Sequence, residues 1–144
     1  MIVTGQEVVE WVAKKTNEFG NFGASTGIGL KKDDELVAGV VYAEWNGPNI
    51  VMHVASDGTR KWLNREYLWF CFAYPFLQLD CKRITGYVGE GNKEAIKFDT
   101  HVGFALETTL EAAHPTGNLL IFRMWKRDCK WIRADFSKRY AKAA

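Results

Sequence analysis

The side chains of this chain best suited to moving protons are its histidines and a few carboxylates. His53 lies in an extended apolar run between Met52 and Val54. Imidazole is the one side chain whose ordinary pKa lies near neutrality, so His53 is the first candidate for a general base. A lone histidine among apolar neighbours is equally what a satisfied core or surface residue looks like, and both readings stay open. Glu44 and Glu90, at or beside strand ends, are alternative bases, each also readable as a solvated charge. His101 falls late in a helical segment, where the helix dipole favours it, and His114 precedes Pro115 in a turn. A second chemistry is anion binding. Ser56-Asp57-Gly58-Thr59-Arg60-Lys61-Trp62 joins a strand to a helix, and a helix N-terminus offers unpaired N–H groups and a favourable dipole to an anion. Arg60 and Lys61 would help there, and Asp57 would oppose unless turned away. A zinc site would need His and Cys ligands at close spacing, and this chain has none such.

A mixed set of elements must position these groups. Thr4-Gly5-Gln6-Glu7 has the form of a capping box ahead of Val8, Val9, Trp11 and Val12, predicting an amphipathic helix that ends near Phe19. Strands follow over Thr26 to Lys32, Leu36 to Trp45 and Ile50 to Ala55, with Asp33-Asp34 and Asn46-Gly47-Pro48 as turns, which predicts an antiparallel meander. Thr59 is read as the cap of a helix from about Arg60 to Ala73. A strand at Arg83 to Val88 leads to the most sharply bounded segment. Asn92 opens a short helix as N-cap, Ala95, Ile96, Phe98 and Val102 form its apolar stripe, and Gly103 supplies a left-handed end. Strands at Phe104 to Glu111 and Leu119 to Trp125 complete the order α-β-β-β-α-β-α-β-β, an α/β fold of the mixed-sheet α+β kind in one domain over residues 1–133. Residues 134–144 read as a basic C-terminal tail. Trp62 and Trp69, seven residues apart on the long helix, would pack with Leu63, Phe70 and Phe76 against the sheet.

Asn92-x-x-Ala95 followed by Gly103-Phe104-x-x-Glu107, after the strand Arg83 to Val88, resembles the C-terminal half of the GNAT superfamily of acyl-CoA-dependent N-acetyltransferases. The likeness is strongest to its branch similar to ribosomal-protein acetyltransferases. Gly117 to Trp125 and the later Cys129-Lys130-Trp131 resemble that branch too, so the likeness runs from about Ile28 to Trp131. The resemblance implies that the strands Ile50 to Ala55 and Arg83 to Val88 run parallel and splay into a slot for acetyl-CoA. Val54, Ala55 and Ser56 would then meet the pantetheine arm through their backbone, Arg60, Lys61 and Trp62 would lie at the phosphates, and Asn92 and Phe98 would line the cofactor. Asn92 is also fully explained as a plain N-cap. The loop departs from the family pattern, holding one glycine where two are usual. The tyrosine that many members use as an acid is replaced by Asp99, a residue ionised at its reference pKa. The resemblance therefore implies direct acetyl transfer to an amine with the leaving thiolate stabilised by backbone or water, and with His53, lining the slot, or Glu44 as base.

Composition bounds the alternatives. At 144 residues, 47% of them hydrophobic, the chain can build one substantial core. From Arg123 onward eight Lys or Arg stand against two Asp, so a chain of net charge +2 is net acidic before that point and basic after it. Trp125 and Trp131 flank Lys126, Arg127 and Lys130, an interleaving found in single-strand nucleic acid grooves, though a solvated basic end explains it as well. Cys71, Cys81 and Cys129 are odd in number and widely spaced, which argues against a disulfide framework and fits a cytoplasmic setting. No signal peptide is expected, and the apolar run Tyr67 to Leu77 is too short to span a membrane. The sequence thus predicts an acetyl-CoA-dependent transferase acting on an amine-bearing small molecule or protein. The alternative is a catalytically degenerate module of the same shape that binds a protein or nucleic acid partner.

Overall fold

The structure is a computed structural model that describes residues 1–16, 22–59 and 64–137. Its elements, in chain order, are β1 (Ile2–Thr4), α1 (Gln6–Thr16), β2 (Ser25–Lys32), β3 (Glu35–Ala43), β4 (Asn49–Ser56) and α2 (Arg65–Ala73). A π-helical turn (Tyr74–Gln78) then leads to β5 (Arg83–Gly89), α3 (Lys93–Val102), β6 (Ala105–His114) and β7 (Gly117–Trp125). The expected order holds with one strand added in front. Thr4 is consumed in that strand opposite Ile28, and Glu7 pairs with Lys31 at 3.0 Å. The capping box expected at Thr4 and Glu7 is therefore replaced by a sheet edge, with Val8 donating to the carbonyl of Gly5.

The described strands form one sheet in the order β1-β2-β3-β4-β5-β7-β6, parallel only between β4 and β5. One face carries α1. Val8, Val9, Val12 and Ala13 pack there with Phe22 and Val41, and the helix comes close because glycines lie beneath it. A Cβ at Gly39 would stand 2.6 Å from a Val12 methyl, and one at Gly29 would stand 2.8 Å from Val8. The other face carries the larger core, in which Tyr67, Leu68, Cys71 and Phe72 of α2 meet Ile28, Val40, Tyr42, Ile50 and Ile84 of the sheet. Each buried Val, Leu, Ile or Phe side chain there is worth roughly 1.5–3 kcal/mol.

Two helix ends set the site in place. Asn64, not Thr59, caps α2 by accepting from the Tyr67 N–H at 2.7 Å. Thr59 instead donates to Asp57, and the expected helical start at Arg60 lies outside the described residues. For α3 the expectation holds at both ends: Asn92 Oδ1 accepts from the Ala95 N–H at 3.2 Å, and Gly103 closes the helix at φ 115°. Trp131 Nε1 donates to the Val102 carbonyl at 2.7 Å, so this indole finishes the helix and is not a free stacking platform.

The join between α2 and the π turn shows how a local defect is repaired. The Cys71 carbonyl would normally accept from residue 75, but Pro75 has no N–H. The buried Tyr42 hydroxyl donates to that carbonyl instead. We predict that Tyr42→Phe destabilises the chain by about 1–3 kcal/mol, since it leaves a buried acceptor unmet. In the Pro75→Ala background, where a donor returns, the same change should have a smaller effect. Urea denaturation of the four chains checks this, and equal losses in both backgrounds would contradict it.

Candidate functional site

The parallel ladder between β4 and β5 lasts only three pairs, Asn49↔Arg83, Ile50↔Ile84 and Val51↔Thr85. Both strands continue well beyond it. On its outer side β4 stays paired with β3 as far as Ala38↔Ser56, and β5 stays paired with β7 as far as Gly89↔Leu119. Each strand is thus held by its outer neighbour while the inner edges diverge from Met52 and Gly86 onward. Backbone groups along such edges need partners, and an extended amide-bearing ligand can supply them.

The divergence opens a cleft of about 460 Å³ that takes in Met52 to Ser56 of β4, Gly86 to Gly89 of β5, and Asn92, Ala95, Phe98 and Asp99 at α3. His53, Val54, Ala55, Ser56, Asn92 and Phe98 therefore come together as the sequence reading placed them. Arg60, Lys61 and Trp62 lie outside the described residues. The loop leading to them is closed on itself: the N–H groups of Asp57, Gly58 and Thr59 are taken by the Val37 carbonyl, Ser56 Oγ and Asp57 Oδ1. These three amides are thus satisfied and the Asp57 carboxylate is turned back onto Thr59, while the helical turn from Arg60, where free amides are expected, lies outside the described residues.

A second cleft of about 680 Å³ adjoins the first. Phe22, Gly23 and Ala24 form one wall and Ala113, His114 and Pro115 another, with Glu44 at its side. The clefts share His53, Tyr87, Gly89 and His114. Gly89 makes this junction possible, because a Cβ there would stand 2.8 Å from the His114 ring. Glu44 raises the Tyr87 pKa, an effect second to burial of the phenol. Glu90 lines neither cleft; its carboxylate lies over Gly117. His101 is exposed in the last turn of α3.

The slot has two chemically different faces. His53 is opposite Val41 in the sheet and so points to the α1 side, where its ring lies 4.5 Å from that of Phe22. Burial there lowers its pKa to about 4. A neutral imidazole is available at pH 7, but it is a weak base: taking a proton from a lysine-like ammonium would be uphill by about six pKa units. On the opposite side, a Cβ built on Gly86 would lie 3.7 Å from Asp99 Oδ2. Asp99 is 8% exposed, and burial pushes its pKa up to about 7. The sequence reading of an ionised Asp99 is therefore corrected: near neutrality it is close to half protonated. Its place was legible in outline, since Asp99 falls on the stripe of Ala95, Phe98 and Val102. An acidic residue on an apolar stripe signals a buried acid.

No family model and no curated protein matches this sequence. Solved structures do. A chimera of the spermidine N-acetyltransferase SpeG from Vibrio cholerae and hSSAT aligns at TM-score 0.70 and 11% identity over 92% of this chain and 99% of that one. An acetyltransferase of the GNAT family from Bacillus anthracis aligns at TM-score 0.64 and 14% identity, covering 88% and 95% of the two chains. The Campylobacter jejuni N-acetyltransferase PseH, solved in complex with acetyl coenzyme A, aligns at TM-score 0.59 and 12% identity, covering 87% and 99%. The chain has the GNAT N-acetyltransferase fold. Among the described residues, no helix is long and apolar enough to cross a membrane, and no three His, Cys, Asp or Glu side chains come together as a metal group.

The two shifted groups pull stability in opposite directions with pH. Asp99, raised in the fold, contributes stability that is full below about pH 4 and lost as pH rises through about 7. His53, lowered in the fold, contributes stability that is full above about pH 6.5 and lost as pH falls towards 4. Each is worth on the order of 3 kcal/mol at its limit. We predict that between about pH 4 and pH 7 the two nearly cancel. Relative to the parent chain, Asp99→Asn should gain stability with rising pH and His53→Gln should lose it. Urea midpoints across that range read this directly, and parallel curves for all three chains would contradict it.

Proposed function

We propose that this protein transfers an acetyl group from acetyl-CoA directly to an amine. The observation that supports this most is the ladder that stops after three pairs while both outer ladders run on. In this reading the pantetheine amides take up the free edge of β4 at Val54, Ala55 and Ser56, with Phe98 and Asn92 beside the arm. Arg60, Lys61 and Trp62 meet the phosphates. These cations matter more here than a glycine nest would, because the amides of residues 57–59 are already engaged.

The amine enters through the second cleft, past Glu44, whose carboxylate attracts it as a cation. It reaches the thioester at the junction beside His53. There the nitrogen lone pair attacks the carbonyl carbon, the C–N bond forms and the C–S bond breaks, CoA leaves as a thiolate stabilised by backbone or water, and the amine proton leaves through His53 or water. His53 cannot deprotonate the ammonium cheaply, so the reacting species is the small neutral fraction, below about one in a thousand for a lysine-like amine at pH 7. Small-molecule amines and lysine-bearing proteins both fit this chemistry.

A second reading keeps some support. Arg83, Arg123 and Arg127 all lie within 5.1 to 5.7 Å of the Trp125 ring, forming a cationic aromatic cluster at the paired end of β5, where Arg83 is also bonded to Glu107. A catalytically degenerate module could use it to hold a nucleic acid or an acidic protein, and retention on nucleic acid that weakens with salt would favour it.

Calorimetric titration with acetyl-CoA tests the first reading. The expected Kd lies between about 1 µM and 1 mM, the usual span for enzyme substrates. Absence of both heat and thermal shift at millimolar cofactor would overturn it. If binding is seen, replacing Arg60 and Lys61 by Ala should weaken it, and an unchanged affinity would place the phosphates elsewhere. Thiol release on mixing acetyl-CoA with spermidine, simple primary amines and a lysine peptide then sorts acceptors.

A further inference from the structure

We infer that the open sheet face beside the acceptor cleft is a docking track for an acidic polypeptide, which delivers one of its amines to the cleft while its carboxylates meet the arginines around Trp125. The inference deepens the acetyl-transfer reading and rests on it.

The track follows from strand register. His53 points to the α1 side of the sheet, and Val51, two residues before it, pairs with Thr85. Thr85 therefore faces the same side, and so do Arg83 and Tyr87 at the two-residue period of a strand. Across the ladder to β7, Arg83 stands beside Trp125, Thr85 beside Arg123, and Tyr87 beside Ile121. α1 covers this side over β1 to β4 and leaves it open over β5, β7 and β6. Tyr87 is 43% exposed and Leu110 44%. Along β7, Ile121, Arg123 and Trp125 are half-buried, whereas Phe122 and Met124, on the opposite side, are buried. The open surface begins where the two clefts meet, since Tyr87 lines both. It crosses Ile121 and ends on the arginines, four strand residues or about 13 Å from Tyr87 to Arg83.

Charge names the occupant. Three guanidinium groups stand 5.1 to 5.7 Å from the Trp125 ring. Glu107 pairs with Arg83, and among the described residues Arg123 and Arg127 form no ion pair. The stretch Arg123 to Arg133 carries five Lys or Arg against one Asp. Like charges gathered in this way repel one another, and carboxylates laid across them turn that repulsion into attraction, with the arginine fork suited to receive them. At the other end Glu44 lies close enough to act on the Tyr87 phenol, so the track offers one carboxylate to an ammonium and several cations to acids about 13 Å away. Between the two ends, Tyr87 and Ile121 are apolar. That middle suits the side chains of a polypeptide, whereas a nucleic acid carries a phosphate at every step and needs cations along its whole length.

Thiol release from acetyl-CoA by the full chain tests this with methylamine and with capped peptides holding one lysine. The lysine stands four residues from a run of three Glu or three Gln, in either chain direction. The Glu peptide should exceed the Gln peptide in kcat/KM by about tenfold at low salt in its better direction. About 1 M salt should erase the difference. In the Arg123→Gln/Arg127→Gln variant, the ratio of kcat/KM for the Glu peptide to that for methylamine should fall by a similar factor. Equal values for the Glu and Gln peptides, or a preference that salt does not reduce, overturn the inference. So does a single-stranded oligonucleotide of equal charge that competes more strongly than a lysine-free Glu peptide, which would assign the arginines to phosphates. Thiol release with methylamine but no preference between peptides removes the docking track alone. No thiol release with any acceptor removes the acetyl-transfer reading and the track with it.

Discussion

The structure depends on an unequal competition for β4 and β5. Each strand has a full-length antiparallel partner on its outer side and only three parallel pairs on its inner side. Strands in a sheet twist relative to their neighbours. β4 follows the twist of β3, β5 follows that of β7, and the two separate once their own ladder ends. What remains is a pair of peptide edges that face one another across an open cleft. Such edges are tolerated in a native protein when something else is meant to lie along them.

Both faces of the sheet are built to keep that gap open and lined. On one side, α1 lies unusually close because Gly29 and Gly39 leave no side chain beneath Val8 and Val12, which brings Phe22 and His53 together at the rim. On the other, α3 is fixed at its start by Asn92, at its end by Gly103, and at its last carbonyl by Trp131. A helix of ten residues pinned at both ends presents Phe98 and Asp99 to the slot at a set depth. Hairpin β6–β7 contributes His114 from the far end, over a glycine that admits its ring.

Most of this was legible in the sequence because it is local. The caps of α3, the alternation of the meander and the final hairpin all follow from residue type at fixed spacing. The misreadings share a cause. Thr4, Thr59 and Asn64 are all competent caps in isolation, and only tertiary pairing decides among them: Thr4 is claimed by a strand opposite Ile28, and Thr59 by Asp57. β1 was missed because three residues give no periodicity, and its partner lies some 25 residues away in the chain. Asp99 was placed on the correct helix, yet its protonation could not be read, since it depends on how deeply α3 sinks against β5.

The electrostatic character of the slot follows from that same depth. His53 is held neutral because burial disfavours its cation, and Asp99 is held near half-neutral because burial disfavours its anion. In the acetyl-transfer reading proposed above, a site that suppresses charge of either sign on its own side chains would disfavour an ammonium as well, and so would favour the neutral nucleophile that attack on a thioester requires. In that reading, attack would develop charge on the amine nitrogen, on the carbonyl oxygen and then on the departing sulfur, in surroundings where any group that stabilises it is worth far more than it would be in water. Opening two strands by a few residues thus does more than make room between them, because it sets the burial that governs both titrating groups.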